Sequence, residues 1–125
     1  MPVSTVRYLV HDVDAAVAFY TGHLGFTVTQ RMGTAFAMVA RDDLTLWLAG
    51  PQASAARPMP DGRQPVHGGW NRFVIEVPDI AATVASMKQA GVAFRNDIIT
   101  GPGGQQILAE DPYGNPIEIF QPAAS

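Results

Sequence analysis

The sequence predicts an α+β fold built from two tandem βαβββ modules. Residues 6–25 and 73–91 follow one plan, in which an alternating apolar strand is followed by an Asp, a helical apolar pattern and a Gly. Asp12 and Asp79 occupy equivalent places in the two copies, and three short strand candidates follow each copy. An internal repeat in a chain of only 125 residues indicates two copies of one structural unit.

The first module predicts the order β-α-β-β-β. Apolar residues alternate over 6–10, which is the period of a half-buried strand. Asp12 or Asp14 can cap the helix that follows, and Gly25 is placed to end it in a left-handed conformation. The helix carries one apolar stripe, formed by Val13, Val17, Tyr20 and Leu24. Further strands are expected over 26–31, 34–41 and 44–48.

The second module repeats this order. A strand over 73–77 precedes Asp79, and Gly91 ends the helical pattern. The apolar stripe of this helix consists of Ile80, Val84 and Met87. Strands are expected over 92–99, 105–110 and 116–120, joined by the turn sequences GPGG and DPYGN.

We therefore expect a first module over 1–50 and a second over 71–125, within one compact structural domain. The connecting loop over 51–70 contains four prolines and three glycines, so regular structure is not expected there. A loop of this length is either a partial lid over a site or a simple linker, and the sequence leaves both open.

Composition excludes several classes of protein. The net charge of −3 includes no run of Lys or Arg, so neither nucleic acid nor an anionic membrane is expected as a partner. No cysteine is present, which excludes disulfides and thiolate chemistry. No secretory signal precedes the first strand and no apolar run is long enough to span a bilayer, so we expect a cytoplasmic protein.

Two motifs carry a resemblance to a known family. They are VHDVDAAVAFYTGHLGF near the start and EDPYGNPIEIF near the end. Together they resemble the vicinal oxygen chelate superfamily, which includes glyoxalase I, bleomycin-resistance proteins, fosfomycin-resistance enzymes and extradiol dioxygenases. The resemblance covers about residues 3–121. It implies an open, cup-shaped mixed β-sheet barrel with helices on the convex side and the ligand on the concave side.

The resemblance also implies where metal ligands would lie, namely on the first and last strands of each module. These positions hold Thr5, Trp47, Arg72 and Glu118. A catalytic divalent ion usually needs three protein ligands, and only Glu118 qualifies. A guanidinium cannot coordinate and would repel a cation. The histidines have no ligand partner at useful spacing (His11, His23 and His67). We expect no metal and no other cofactor.

The same positions suggest a ligand site. Arg72 and Glu118 either form a structural ion pair or bind an anionic or carbonyl-bearing ligand, and the two roles are compatible. Arg7 is either a second cation in the site or a charge at its rim. Trp47 offers a flat surface on which a ligand can stack, and Trp70 offers another at the mouth of the cup. The alternative for both is ordinary packing of a large apolar side chain. Polar candidates for orienting a ligand are Thr5, Gln106 and Asn96. Four other strand residues face either the ligand or the core: Phe36, Met38, Phe94 and Phe120.

Two functions remain open at this point, and a third, a surface interaction module with a filled cup, has no positive support in the sequence. The first is metal-independent binding or sequestration of a hydrophobic or aromatic small molecule, similar to the bleomycin-resistance type, for which the resemblance implies a homodimer. The alternative is a glyoxalase-like enzyme (a lyase, isomerase or dioxygenase) that is metal-dependent or uses Glu118 as a base. No nucleophile–base pair is recognisable, so no catalytic residue is assigned. The identity of the ligand is left open.

Overall fold

The computed structural model describes residues 4–124 and divides at His67 and Gly68 into two units. The first unit has the predicted β-α-β-β-β order. Its elements are β1 (Ser4–Leu9), α1 (Val13–His23), β2 (Thr27–Met32), β3 (Phe36–Arg41) and β4 (Leu44–Ala49). The four strands form an open sheet in the order β1-β4-β3-β2, in which β1 and β4 run parallel and the other pairs antiparallel.

The second unit repeats this order with one additional strand. Its elements are β5 (Phe73–Glu76), α2 (Ile80–Gln89), β6 (Ala93–Phe94), β7 (Ile99–Gly101), β8 (Gly104–Glu110) and β9 (Pro116–Pro122). The sheet runs β5-β9-β8-β6, with β7 also paired to β8, and only β5 and β9 are parallel. Two helices and two mixed sheets confirm the predicted α+β fold, and neither sheet closes into a barrel.

The single strand predicted over 92–99 is wrong in one respect, because two short strands stand in its place. Between them, the Arg95 N–H donates to the Leu108 carbonyl at 2.9 Å. The Asn96 side chain then accepts from the Leu108 N–H at 3.0 Å. A side-chain amide has taken the role of a backbone carbonyl, so the regular ladder is interrupted there.

Both predicted helix starts are confirmed. Asp12 accepts from the Ala15 N–H at 3.2 Å, and Asp79 accepts from the Ala82 N–H at 3.1 Å. Of the two candidate caps in the first module, Asp14 instead forms an ion pair with Arg31. Each carboxylate accepts a hydrogen bond from an N–H of the first turn that has no partner within the helix, and this fixes where the helix begins. No helix of residues 4–124 is long and apolar enough to cross a membrane.

The core of each unit lies between its helix and one face of its sheet. The predicted stripes are buried in both helices. Strand residues alternate, so that Leu46 and Leu48 are fully buried whereas Trp47 between them is only half-buried. In β9, Ile117 and Ile119 are likewise fully buried on either side of Glu118. We call the side of each sheet opposite its helix the helix-free face.

The DPYGN turn is held by its own side chains. The Asp111 carboxylate accepts from the backbone N–H groups of Tyr113 at 2.8 Å and Asn115 at 2.9 Å, and from the Asn115 side chain at 2.8 Å. The Asn115 side-chain oxygen accepts from the Gly68 N–H at 2.7 Å. The motif therefore joins β8 to β9 and anchors the segment that precedes β5.

Gly104 generates a prediction about stability. Its φ is +143°, and a Cβ atom there would lie 2.1 Å from the Gln121 carbonyl oxygen. Gly104→Ala should lower the free energy of unfolding by about 2–4 kcal/mol, because the clash is with backbone of the paired strand. Gly103→Ala is the matched control, since no atom lies within 4 Å of its Cβ position. Urea unfolding measures both, and equal stabilities for the two variants would contradict the prediction.

Candidate functional site

On the helix-free face of the first unit, a cation and an indole lie side by side. Arg7 on β1 pairs in register with Trp47 on β4. Its guanidinium carbon lies 4.9 Å from the centroid of the Trp47 ring, and Phe36 on β3 meets that ring edge-on at 6.0 Å. The arrangement is an aromatic pair with a cation over one indole face, and each contact favours the observed orientation of Trp47.

These side chains line a cleft of about 390 Å³ within the first unit. The lining residues are Arg7, Met32, Ala35, Phe36, Trp47, Ala53 and Ser54. The surface is mainly apolar, with one positive charge. Ala53 and Ser54 come from the start of the predicted loop, where Ser54–Ala56 form a 3₁₀ turn. Thr5 is exposed and pairs with Thr45, and it is not among the residues that line the cleft.

In the second unit, Arg72 and Glu118 form an ion pair. The Arg72 Nε and Nη2 groups both donate to Glu118 Oε1, at 3.1 and 2.8 Å, and Nη1 donates to the Trp70 carbonyl at 3.3 Å. Glu118 is only 8% exposed, so its charge needs this partner. The two residues are brought together because β5, which starts directly after Arg72, pairs with β9, which contains Glu118.

A smaller cavity of about 110 Å³ adjoins this ion pair. It is lined by Arg72, Asn96, Ile99, Gln106, Ile107, Leu108 and Glu118. Gln106 lies on β8, opposite Phe120 of β9, with its side chain half-buried. The sequence-based candidates Arg72, Gln106, Asn96 and Glu118 are thus brought together.

Trp70 lies apart from this cavity, on the surface of the second unit. Its side chain is 68% exposed, and the guanidinium carbon of Arg95 lies 4.4 Å from its ring centroid. Arg95 also donates to Glu110 at 2.8 Å and to the Gly114 carbonyl at 2.7 Å. Sequence reasoning missed Arg95, because nothing in the pattern around it marks it as the partner of a distant Trp.

The strand residues whose direction was open are now placed. Phe36 and Met38 share the helix-free face with Trp47, and Phe120 shares that of Glu118. Phe94 differs, since it pairs with the fully buried Ala109 and lies under Lys88 of α2. Met32, which lines the first cleft, was missed because a register shift between Val28 and Gln30 interrupts the simple alternation of β2.

The residues at the superfamily's metal positions do not fit a divalent ion. In the first unit these positions offer a Thr hydroxyl and an indole that only donates. In the second, the one carboxylate accepts two hydrogen bonds from a guanidinium. Within residues 4–124 no group of three His, Asp or Glu side chains is placed to hold a metal. Among the histidines, His11 and His67 line a separate cleft and His23 contacts Phe19 on α1.

The chain belongs to the Glyoxalase/Bleomycin resistance protein/Dioxygenase superfamily, whose profile matches residues 3–119. This confirms the resemblance inferred from the two motifs. No curated protein sequence matches the chain.

Solved structures of similar fold include both binding proteins and enzymes. TnmS3, an antibiotic binding protein from Streptomyces sp. CB03234, is 26% identical with a TM-score of 0.73, covering 97% of this chain and 95% of that one. Lactoylglutathione lyase from Agrobacterium tumefaciens is 21% identical with a TM-score of 0.72, covering 95% and 92%. TioX from Micromonospora sp. ML1 is 17% identical with a TM-score of 0.75, covering 97% and 98%. The last two likenesses show the fold alone.

The donor set generates a prediction about metal binding. Zn²⁺, Ni²⁺ and Mn²⁺ should not raise the melting temperature of the protein, because Glu118 is the one carboxylate at these positions and the Arg72 guanidinium beside it would repel a cation. Arg72→His supplies a second donor beside Glu118 and should bind Ni²⁺ more tightly than the parent in calorimetric titration. Stoichiometric binding by the parent that is lost in Glu118→Ala would contradict this prediction.

Proposed function

We propose that this protein binds a hydrophobic or aromatic small molecule without a metal ion and sequesters it unchanged. The observation that carries the proposal is the first-unit cleft of about 390 Å³, in which Trp47, Phe36 and Arg7 converge on the helix-free face. Ligand pockets are typically concave and mainly apolar, with few polar groups to fix orientation, and this cleft has that character.

Stacking on Trp47 supplies the affinity in this proposal. Trp47 is half-buried, with Arg7 over one face of its ring and Phe36 at its side. The indole is therefore held before a ligand arrives, so that less side-chain entropy is lost on binding. Arg7 adds a preference for ligands with negative charge or electron-rich rings, since its guanidinium is always protonated.

Likeness to known proteins supports the same proposal. TnmS3 is an antibiotic binding protein and matches nearly the full length of this chain. We also propose that the protein is cytoplasmic and that it forms a homodimer, the latter because the sequence resemblance implies it. Native mass spectrometry reports its subunit number together with any retained small molecule.

The second candidate is a metal-independent enzyme that uses Glu118 as proton acceptor. It is favoured by one observation, that Arg72 engages only Oε1 of this carboxylate. Incubation with S-lactoylglutathione in D₂O tests it, because proton NMR detects exchange of the C–H beside the carbonyl. Exchange that the parent catalyses and Glu118→Gln does not would favour the enzyme, whereas equal rates with and without protein favour binding.

The binding proposal predicts the behaviour of two matched probes. Anilinonaphthalene sulfonate should bind saturably, with its fluorescence enhanced, and Trp47→Leu should weaken this binding about five- to tenfold through lost stacking. Arg7→Gln should weaken the sulfonate probe but not N-phenyl-1-naphthylamine, which has the same rings and no charge.

Trp70→Leu is the control variant, because Trp70 does not line the cleft. It should bind both probes as the parent does. Circular dichroism of each variant confirms that the fold is retained. If Trp47→Leu binds the sulfonate as tightly as the parent, the first-unit cleft is not the binding site and the proposal fails.

A further inference from the structure

Glu118, which lines the cavity in the second unit, carries one oxygen that no described residue uses as an acceptor. Both bonds from Arg72 end on Glu118 Oε1, so Oε2 accepts no hydrogen bond from residues 4–124. In that part of the chain, every fully buried side-chain nitrogen or oxygen has a hydrogen-bond partner. Oε2 is therefore still accessible, although Glu118 as a whole is 8% exposed, and the cavity that Glu118 lines is where a ligand atom can reach it.

The same cavity also offers donors. A guanidinium has five N–H groups, and Arg72 uses one on each of its three nitrogens, which leaves one N–H on Nη1 and one on Nη2. The half-buried Gln106 side chain forms no hydrogen bond with residues 4–124. Asn96 uses its oxygen to accept from Leu108, so its NH₂ group remains a donor. The residues that carry these donors and this acceptor thus line one small cavity.

The charges of the lining residues cancel. Arg72 and Glu118 are the two charged members of the lining, and the rest are amides or aliphatic side chains. A charged ligand group would lose hydration here without gaining a net opposite charge, which is unfavourable. A neutral group that carries an acceptor beside a donor loses less hydration and matches both kinds of protein group.

Size limits the group further. At about 110 Å³, this cavity is less than a third of the size of the first-unit cleft of about 390 Å³. It suits a small planar group such as an amide better than a fused ring system.

We propose that the second unit recognises a neutral amide-type group, such as a carboxamide, lactam, imide or urea. Its carbonyl oxygen accepts from the Gln106 amide and from Arg72, and its N–H donates to Glu118 Oε2. The inference rests on the proposed function, since it names a chemical class among the small molecules that the protein would sequester, and it concerns the second unit alone.

Three planar probes of equal size test the charge argument: acetamide, acetate and acetamidinium. Each is titrated at constant ionic strength into the ¹⁵N-labelled full chain, and the side-chain resonances of Gln106 and of Arg72 Nε are followed by NMR. Acetamide should shift both saturably, with an affinity roughly tenfold above either ion, because each ion lacks one of the two matched hydrogen bonds.

Two variants separate recognition from folding. Gln106→Leu leaves the ion pair intact and should weaken acetamide binding about fivefold. Glu118→Gln leaves the Arg72 charge unbalanced, so acetate should become the preferred probe. Amide dispersion in the same spectra confirms that each variant is folded, and Gln106→Leu alone decides the matter if Glu118→Gln does not fold.

Three outcomes would overturn the inference: no saturable shift with any probe, tighter binding of an ion than of acetamide, or unchanged acetamide affinity in Gln106→Leu. None of them bears on the proposed function, which is measured at Trp47 with the naphthalene probes. Conversely, loss of the Trp47 signal with retained acetamide binding would refute the first-unit site and leave the amide site of the second unit standing.

Discussion

The parallel pairing of the first and last strand in each unit is the constraint on which the site depends. It places Arg7 beside Trp47 in one unit and Val74 beside Glu118 in the other. Each site residue on the last strand lies between two fully buried aliphatic residues that face the helix. Burial of each aliphatic side chain contributes about 1.5–3 kcal/mol. A shift of one residue in the strand register would expose these aliphatic side chains and bury the site residue between sheet and helix. Core packing therefore fixes the side of the sheet on which Trp47 and Glu118 lie.

The two units use the equivalent positions of Trp47 and Glu118 on their last strands for different chemistry. In the first, a cation lies over an indole and beside a mainly apolar cleft. In the second, a cation neutralises a buried carboxylate next to a small cavity that amide and aliphatic side chains also line. Each unit has an arginine at its site, but the side chain that the arginine contacts, Trp47 or Glu118, determines what kind of ligand group can bind there. The repeat therefore supplies one backbone scaffold, and a few side chains divide it into an aromatic surface and a hydrogen-bonding surface.

The DPYGN turn connects the fold to the site of the second unit. Asp111 and Asn115 are almost fully buried, and their side chains satisfy one another and the surrounding backbone. Through its bond to the Gly68 N–H, Asn115 anchors the stretch that leads to Arg72. The DPYGN motif, which belongs to the family resemblance, is thus structural here, because it holds in place the segment from which the Arg72 guanidinium reaches Glu118.

The sequence by itself determined the fold class, the repeat, where each helix begins and the positions from which site residues arise, whereas the structure chose Asp12 over Asp14 as the first cap. These features are local, because alternation, helical spacing and capping each depend on residues a few places apart. Only the tertiary structure decided that Arg7 lies over Trp47 and that Asn96 interrupts a strand. It also decided that Trp70 contacts Arg95 at the surface and is not packed in the interior. Long flexible side chains can reach several partners, and a register shift such as that in β2 is not visible in the alternation pattern. Which partner is reached depends on strand pairing between residues far apart in the chain.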